Sequence, residues 1–431
     1  MRQSTKRDIR APAVWNTARC CRPMKVWKNS REFICGKAVH ENDVFRCVEC
    51  DAHSVRDARQ GKHHDSENIK VISKNRLKNN QSYGIRTVKA DGRNGMSQIS
   101  LFAEETRLEK LSKLGDCLER LNIIDWEMFR PELKKALSKS RKSNAGRTPY
   151  DCILLFKILV LQRLYNLSDD QTEFQINDRI TFMRFLGLEL SDKVPDAKTI
   201  WLFKDTLTKA EVMESLFKTF YNQLESRGII THAGTIVDAT FVDAPRQRNS
   251  REENKKIKNG ETPEEWQENK AKLAQKDTDA RWTKKGNETH YGYKDHTKVD
   301  AESKLITDYA VTSANVHDSN EFVDFIDETD KEVYADSAYA GKELPKHVTN
   351  HVHEKGCRYK SLTAEQKEGN RIKSKTRARI EHVFGFMTMS MHGLTVRSIG
   401  IERAKFNIGL TNLVYNMCRY SVLQRRVVTM G

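Results

Sequence analysis

No stretch of this sequence approaches the roughly 18 consecutive apolar residues that a membrane-spanning helix needs. The densest patch, Ile153–Phe156 with Ile158–Leu161, is broken by Lys157. The first residues are basic, but no apolar run leading to a small-residue cleavage site follows them, so no secretory signal is expected. Cysteine offers no disulfide ladder either: there are nine, an odd number at uneven spacings, which fits reduced thiols in a cytosolic protein. No glycine-rich loop ends in Lys-Ser or Lys-Thr, which disfavours nucleotide hydrolysis, and no strong nucleophile motif is present. These absences argue against membrane-embedded and secreted classes. What is present is a chain of 431 residues, 38% hydrophobic and 31% charged, enough for a packed core and two or three domains.

The formal charge of +16 points to a polyanionic partner, and its distribution is uneven. Residues 1–95 hold 21 Lys and Arg against 10 Asp and Glu, whereas the rest of the chain has a surplus of only 5. The same segment carries Cys20, Cys21, Cys35, Cys47 and Cys50 and shows no sustained periodicity. It reads as a basic, irregular or disordered appendage, with Met96 opening the functional protein. A zinc site built on Cys47, Cys50, His53 and Cys35 lacks a second clean cysteine pair, so zinc is not expected.

From Met96 the pattern becomes helical. Leu108, Leu111, Leu114, Leu118 and Leu121 recur at three- and four-residue steps, and an apolar helix spans Tyr150–Tyr165. Ser168 opens a capped helix, and two more follow through Trp201 and from Lys209 to Arg227. Residues 96–230 therefore form an all-helical domain, either a plain bundle or one that presents DNA-recognition helices. At Gly234 the period changes. Thr235–Val242 is β-branched and apolar, His290–Val299 and Leu305–Thr312 read as a hairpin, and Glu332–Asp336 as a short strand. Helices are expected at Asp318–Glu328, Ala364–Met391 and Ile401–Arg425, with a further strand at Arg358–Leu362. The result is an α/β, mixed-sheet domain over 231–425, carrying a nearly balanced, charged helical insertion at about 246–290.

Two acidic residues sit where strands rarely tolerate them: Asp238 within an apolar strand and Asp336 at the end of another. An ionised carboxylate in such a place needs a cation or hydrogen bonds. On the helix through Arg377-Ala378-Arg379-Ile380-Glu381, the apolar stripe runs through Ile380, Val383, Phe384 and Met387, and Glu381 falls on its border. Three carboxylates meeting at one point would repel one another unless divalent cations lay among them. Two Asp and one Glu make a hard oxygen set suited to Mg²⁺, and a pair of such ions is a recurrent device for in-line displacement at phosphorus.

Asp238 in Ile-Val-Asp-Ala-Thr, Asp336 in Tyr-Ala-Asp-Ser-Ala-Tyr and Glu381 in Arg-x-x-x-Glu-x-x-Phe-Gly resemble the DDE triad of bacterial insertion-sequence transposases, most closely the insertion-sequence-five group. Asn315-Val316-His317-Asp318-Ser319, Ser390-Met391-His392-Gly393-Leu394 and Val194-Pro195-Asp196 before Thr199-x-Trp201-x-Phe203 look like the same family. The resemblance covers about residues 96–420. It implies a ribonuclease H-like catalytic domain, Mg²⁺ or Mn²⁺ as cofactor, terminal inverted repeats and target DNA as substrates, and a homodimer pairing two element ends. His317 and Asp318 are then positioning residues or a strand-to-helix cap. The family's Tyr and Lys around the glutamate are replaced here by Ser374 and Thr388. A second reading, a catalytically inactive DNA-binding relic acting as a repressor, shares the same scaffold.

Lys360, Lys367, Arg371, Lys373, Lys375, Arg377 and Arg379 face only Glu365 and Glu368 over 360–379, and the run leads into Glu381. A phosphate backbone drawn to it would arrive beside the carboxylates. Trp266 and Trp282 in the insertion are available for packing or base stacking, and Arg425 and Arg426 are weaker phosphate candidates.

Overall fold

The computed structural model describes residues 38–41, 44–47, 53–56, 63–64, 103–138, 148–357 and 359–430. The chain divides into two compact units, Met1–Gly95 and Met96–Gly431. In the first, β1 (Ala38–Glu41), β2 (Val44–Cys47), β3 (His53–Arg56) and β4 (His63–His64) pair antiparallel in that order, where the sequence suggests an irregular segment. Glu41 pairs with Val44 at the end of the β1–β2 ladder. Of the zinc donors considered, Cys47 and His53 belong to β2 and β3, while Cys35 and Cys50 lie outside the described residues, as do Cys20 and Cys21.

The second unit begins with α1 (Ala103–Leu114), two 3-10 turns, and α2 (Arg130–Leu137). The apolar helix is α3 (Cys152–Leu164), capped by Asp151, whose side chain accepts from Ile153 N–H. It is apolar nearly all round, so it needs neighbours on every side: α2, α4 (Asp169–Asp178), α5 (Ile180–Leu186) and α6 (Ala197–Lys209) surround it, with the last helix of the chain. Lys157, which interrupts the apolar run, turns its ammonium onto the Phe185 carbonyl at 3.3 Å. Ser168 caps α4 by accepting from Gln171 N–H, as its position suggests, and α7 (Met213–Ser226) completes the helical part.

The sheet is built around β5 (Thr235–Asp243). A charged insertion follows it as three short helices, α8 (Arg251–Lys258), α9 (Glu264–Glu268) and α10 (Lys270–Leu273), with Trp266 fully buried among them. Then come β6 (Arg281–Lys285), the long β7 (Glu288–Asp300), β8 (Ile306–Ser313), β9 (Glu332–Tyr334) and β10 (Thr349–Asn350). β5 lies between antiparallel β7 and parallel β9, and β10 extends the other side of β9 in parallel. The outer edge of β7 pairs with β8 over residues 293–299 and with β6 over 288–292. In the resulting order, β8-β7-β5-β9-β10, β7 alone runs opposite to the others, since β8 is antiparallel to β7 and therefore parallel to β5; this is the arrangement of a ribonuclease H-like fold.

Gly292 makes the crowded junction possible. It pairs with Asp243 on one side and Arg281 on the other, at φ +150°, and a Cβ there would lie 2.2 Å from the Val242 carbonyl oxygen. Two helices close the unit: α11 (Ala364–Met389), opened by a capping box between Thr363 and Gln366, and α12 (Ile401–Met430). Ile236, Val299 and Ile306 from the sheet, Ile380 and Val383 from α11, and Leu413 and Val414 from α12 share one hydrophobic cluster with α3, α6 and α7. The helical part and the sheet are thus one packed body. Val237 points to the opposite face, into a smaller cluster with Phe322, Val333 and Tyr339.

Two expected elements differ. Asp318–Glu328 forms a 3-10 turn at Asp318–Asn320 and then irregular turns, because its apolar residues Phe322 and Phe325 pack downward onto the sheet without a helical ladder between them. Arg358–Leu362 gives only a bridge from Cys357 to Lys360, with Arg358 itself outside the described residues. The β6–β7 hairpin and β10 are additions that the alternation of the sequence does not announce. Among the described residues, no helix is long and apolar enough to cross a membrane.

Candidate active site

The register of two neighbouring parallel strands brings the aspartates together. Ile236 of β5 pairs with Tyr334 of β9, and each aspartate lies two residues further along its own strand. Asp336 keeps an extended backbone (φ −79°, ψ 177°), so Asp238 and Asp336 follow the same pleat at the same end of the sheet. Asp336 then turns the chain: its Oδ1 accepts from Ala338 N–H at 2.6 Å, capping a 3-10 turn over Ser337–Tyr339.

Asp238 is largely buried. Its Oδ1 accepts from Ala239 N–H at 2.8 Å, and its Oδ2 from Arg377 Nη1 at 2.9 Å. Burial nevertheless pushes the Asp238 carboxyl up to about 6, with the Asp336 charge adding to the rise, while Ala239 N–H and the Arg377 guanidinium pull the other way. Glu381 enters from α11, one turn beyond Arg377, and its carboxylate lies 3.8 Å from Arg377 Nη2. At 62% exposure its side chain is more open than a border position suggests. Arg377 therefore bridges the first and third carboxylates, with its Nε buried and lacking a hydrogen-bond partner.

The donor chemistry fits a divalent cation. The three groups are hard oxygen ligands, and the raised Asp238 carboxyl indicates that one guanidinium does not fully compensate its charge. As placed, no three His, Cys, Asp or Glu side chains among the described residues close around a single metal position. The cation between Asp238 and Glu381 is Arg377.

His317 accepts from Ser319 N–H through Nδ1 at 3.3 Å and caps the 3-10 turn, while Asp318 forms a 2.7 Å ion pair with the buried Lys294. Two further groups close to the carboxylates escaped the sequence reading. The Tyr339 hydroxyl is buried without a hydrogen-bond partner, and its ionisation is suppressed by burial and then by the charges of Asp238, Asp318 and Asp336. His353 donates its backbone N–H to the Ala335 carbonyl and meets Ser374 Oγ at 3.3 Å; burial and the charges of Arg377 and Lys373 hold its imidazole below the usual value. The spacing of Tyr339 after Asp336 was the available signal for the first. Nothing in the sequence marks the second.

The basic run of α11 is less free than its charge count suggests. Arg371 pairs with Glu368 at 2.6 Å, Lys373 donates to the Val352 carbonyl, Arg379 to the Ala301 carbonyl, and Arg377 faces the carboxylates. Lys360, Lys367 and Lys375 are exposed. Other cations lie at the tip of the β6–β7 hairpin. Because β7 runs antiparallel to β5, this tip projects from the end of the sheet that carries Asp238 and Asp336. Lys284 and Lys285 are exposed on it, and Lys285 lies 5.7 Å from the Phe241 ring, which stacks on His290 at 4.2 Å. Trp282 is 43% exposed, with the Arg246 guanidinium 5.7 Å from its ring. Ser374 and Thr388 turn their hydroxyls to carbonyls of their own helix, Asn370 and Phe384. The side chain of Arg426 lies outside the described ones, and Arg425 is exposed.

Residues 231–417 match the family model described as "Transposase DDE domain". That stretch is similar to transposase DDE domains. Residues 106–206 match a second model, "Transposase domain (DUF772)", so the helical part and the sheet both carry transposase signatures. Among solved structures the chain is similar to a piggyBac transposase synaptic complex with hairpin DNA, at 10% identity and a TM-score of 0.40, over 73% of this chain and 75% of that one. The DDE-domain match spans Asp238, Asp336 and Glu381, together with the β6–β7 hairpin and most of α12.

Proposed function

We propose that this protein is a DNA transposase that cuts at the terminal inverted repeats of an element and joins the freed 3′-hydroxyls to target DNA, with Asp238, Asp336 and Glu381 as the catalytic carboxylates. The observation that supports the reading is their arrangement inside the stretch that matches the transposase DDE model: two aspartates at one end of adjacent parallel strands, and a glutamate tied to the first of them through Arg377. In the cutting step, a water oxygen bonds to phosphorus as the element's 3′-oxygen leaves. In the joining step, that 3′-hydroxyl attacks a target phosphorus and a target 3′-oxygen leaves. Each step exchanges one P–O bond for another, and the proton lost by the attacking oxygen is balanced by the one that the leaving 3′-oxygen takes up.

The three carboxylates would hold Mg²⁺ or Mn²⁺, two ions by family resemblance, which supply charge stabilisation for the attacking and leaving oxygens. The chain's own part is placement. The parallel register fixes the spacing of Asp238 and Asp336, the 3-10 turn after Asp336 holds its rotamer, and α11 brings Glu381 to the same end of the sheet. Exposed Lys284 and Lys285 on the hairpin, with Lys360, Lys367 and Lys375, supply phosphate contacts, and Trp282 offers a stacking face. A homodimer would pair two element ends, and the bacterial insertion-sequence-five group, a cytoplasmic, nucleoid-associated location and a start of the working protein at Met96 belong to the same reading.

Strand transfer with inverted-repeat DNA and Mg²⁺ tests it. Asp238→Asn, Asp336→Asn and Glu381→Gln should each abolish joining while leaving DNA binding. Wild-type joining by any of them removes that residue from catalysis, and binding by the wild type without cleavage under Mg²⁺ or Mn²⁺ favours the repressor relic.

A further inference from the structure

Arg377 occupies a position that the sequence pattern assigns to a DNA contact, yet its guanidinium is turned inward. One terminal nitrogen donates to Asp238 at 2.9 Å, the other lies 3.8 Å from Glu381, and the side chain is 25% exposed. A metal ion shared by Asp238 and Glu381 would have to stand where this guanidinium stands. Two cations cannot share that space, since their repulsion at such short range in a partly buried site would exceed the gain from either carboxylate. The present arrangement also leaves Arg377 incompletely satisfied, because its buried Nε has no acceptor. A phosphate is a natural destination for it: a guanidinium binds phosphate through two parallel N–H donors, and α11 needs only a rotamer change of this one side chain to present them outward.

We propose that Arg377 is the resident counter-ion of the carboxylates, and that metal enters between Asp238 and Glu381 as Arg377 moves onto a DNA phosphate. This rests on the proposed transposase chemistry and adds a positioning role to it. Metal uptake and DNA binding are then coupled. By thermodynamic reciprocity, DNA raises the affinity for metal by the same factor as metal raises the affinity for DNA. A protein without its substrate would keep its carboxylates neutralised and metal-poor, and would assemble the cutting site only on DNA.

The test is equilibrium Mn²⁺ binding to the full chain, read from the electron paramagnetic resonance of free Mn²⁺, with and without a short DNA duplex. Wild type should bind Mn²⁺ at least tenfold more tightly when the duplex is present. Arg377→Gln should bind it at least tenfold more tightly than wild type without DNA, and should gain little from the duplex. Circular dichroism and a thermal melt check that the variant folds. Should it fail to fold, Arg377→Lys gives a second reading: one ammonium cannot span both carboxylates, so Mn²⁺ affinity without DNA should rise in the same direction by a smaller factor. Equal or weaker Mn²⁺ affinity of folded Arg377 variants, measured without DNA, overturns the proposal while leaving the catalytic assignment standing. Absence of Mn²⁺ binding by the wild type even with DNA removes the metal chemistry itself, and this inference with it.

Discussion

Asp238→Asn should make the metal-free protein more stable while abolishing strand transfer, and the size of the gain follows from the site. Burial holds the Asp238 carboxyl at about 6, against an ordinary 3.8. A rise of that size is worth about 3 kcal/mol of preference for the neutral form in the fold. The folded value lies above the unfolded one, so the native state binds the proton more tightly. This group therefore imposes no penalty below about pH 4, a growing one between about pH 4 and 6, and its full penalty above that. Asparagine keeps the shape and the acceptor for Ala239 N–H but carries no charge at any pH. It also deprives Arg377 of a carboxylate, a loss moderated by the partial exposure of that guanidinium, so the net gain expected at pH 7.5 is about 1–3 kcal/mol. Urea denaturation in EDTA at pH 7.5 and pH 4, wild type beside variant, reads it directly. The variant should be the more stable at pH 7.5, and the difference should nearly vanish at pH 4. A variant that is less stable at pH 7.5, or a difference indifferent to pH, would refute the claim that an under-compensated buried charge sits at this position.

Asp295 tests the same physics away from the chemistry. It is fully buried, its one side-chain partner is Asn412 Nδ2 at 3.1 Å, and burial raises its carboxyl to about 8. It stays protonated at neutral pH, and its penalty grows from about pH 4 and is complete only as the pH passes about 8, so the wild type should lose stability relative to Asp295→Asn between about pH 4 and 8 and the difference should level off above that; parallel melting curves from about pH 4 to 9.5 check it. Gly292→Ala should cost several kcal/mol, about 3 or more, or prevent folding, because its Cβ meets backbone on β5; soluble yield and a thermal melt measure this. Lys284→Ala with Lys285→Ala should weaken DNA binding and lower the slope of log affinity against log salt by about 2, roughly 0.9 per lost phosphate contact, in fluorescence anisotropy across salt concentrations. An unchanged slope would take the hairpin out of the DNA path.

The parts of the fold that the sequence revealed are those in which one residue pattern has one physical solution. The Ser168 cap, the apolar α3 and the β7–β8 hairpin follow from local spacing alone. Asp238 and Asp336 were visible as acids where a strand should be apolar, and their meeting depends only on β5 and β9 pairing in parallel. The segment after Asp318 departs from the expected helix, and its apolar residues Phe322 and Phe325 satisfy a contact with the sheet instead. β10 has two residues, too few for any alternation to declare itself. The stacked Phe241–His290 pair needs residues 49 positions apart in the chain to meet, which no local pattern encodes.

Charge was the least legible property, and the reason is general. A run of seven cations on one helix suggests a phosphate track, because a sequence records charge but not where each side chain finds its acceptor. On α11 and the bridge before it, four of those cations are directed to partners within the protein: a glutamate one turn away, two backbone carbonyls, and the Asp238 carboxylate. Each such contact holds a long side chain in place and removes donors that a phosphate would use. The hairpin shows the converse. The insertion that contains it is nearly balanced in composition, so it gives no basic signal, yet Lys284 and Lys285 stand exposed at the end of the sheet where Asp238 and Asp336 lie. A DNA strand responds to the local field of exposed cations, which weakens over roughly a Debye length, and not to a count along the chain. Two exposed lysines at that end of the sheet can therefore steer a phosphate more effectively than a longer run in which most members are already bound.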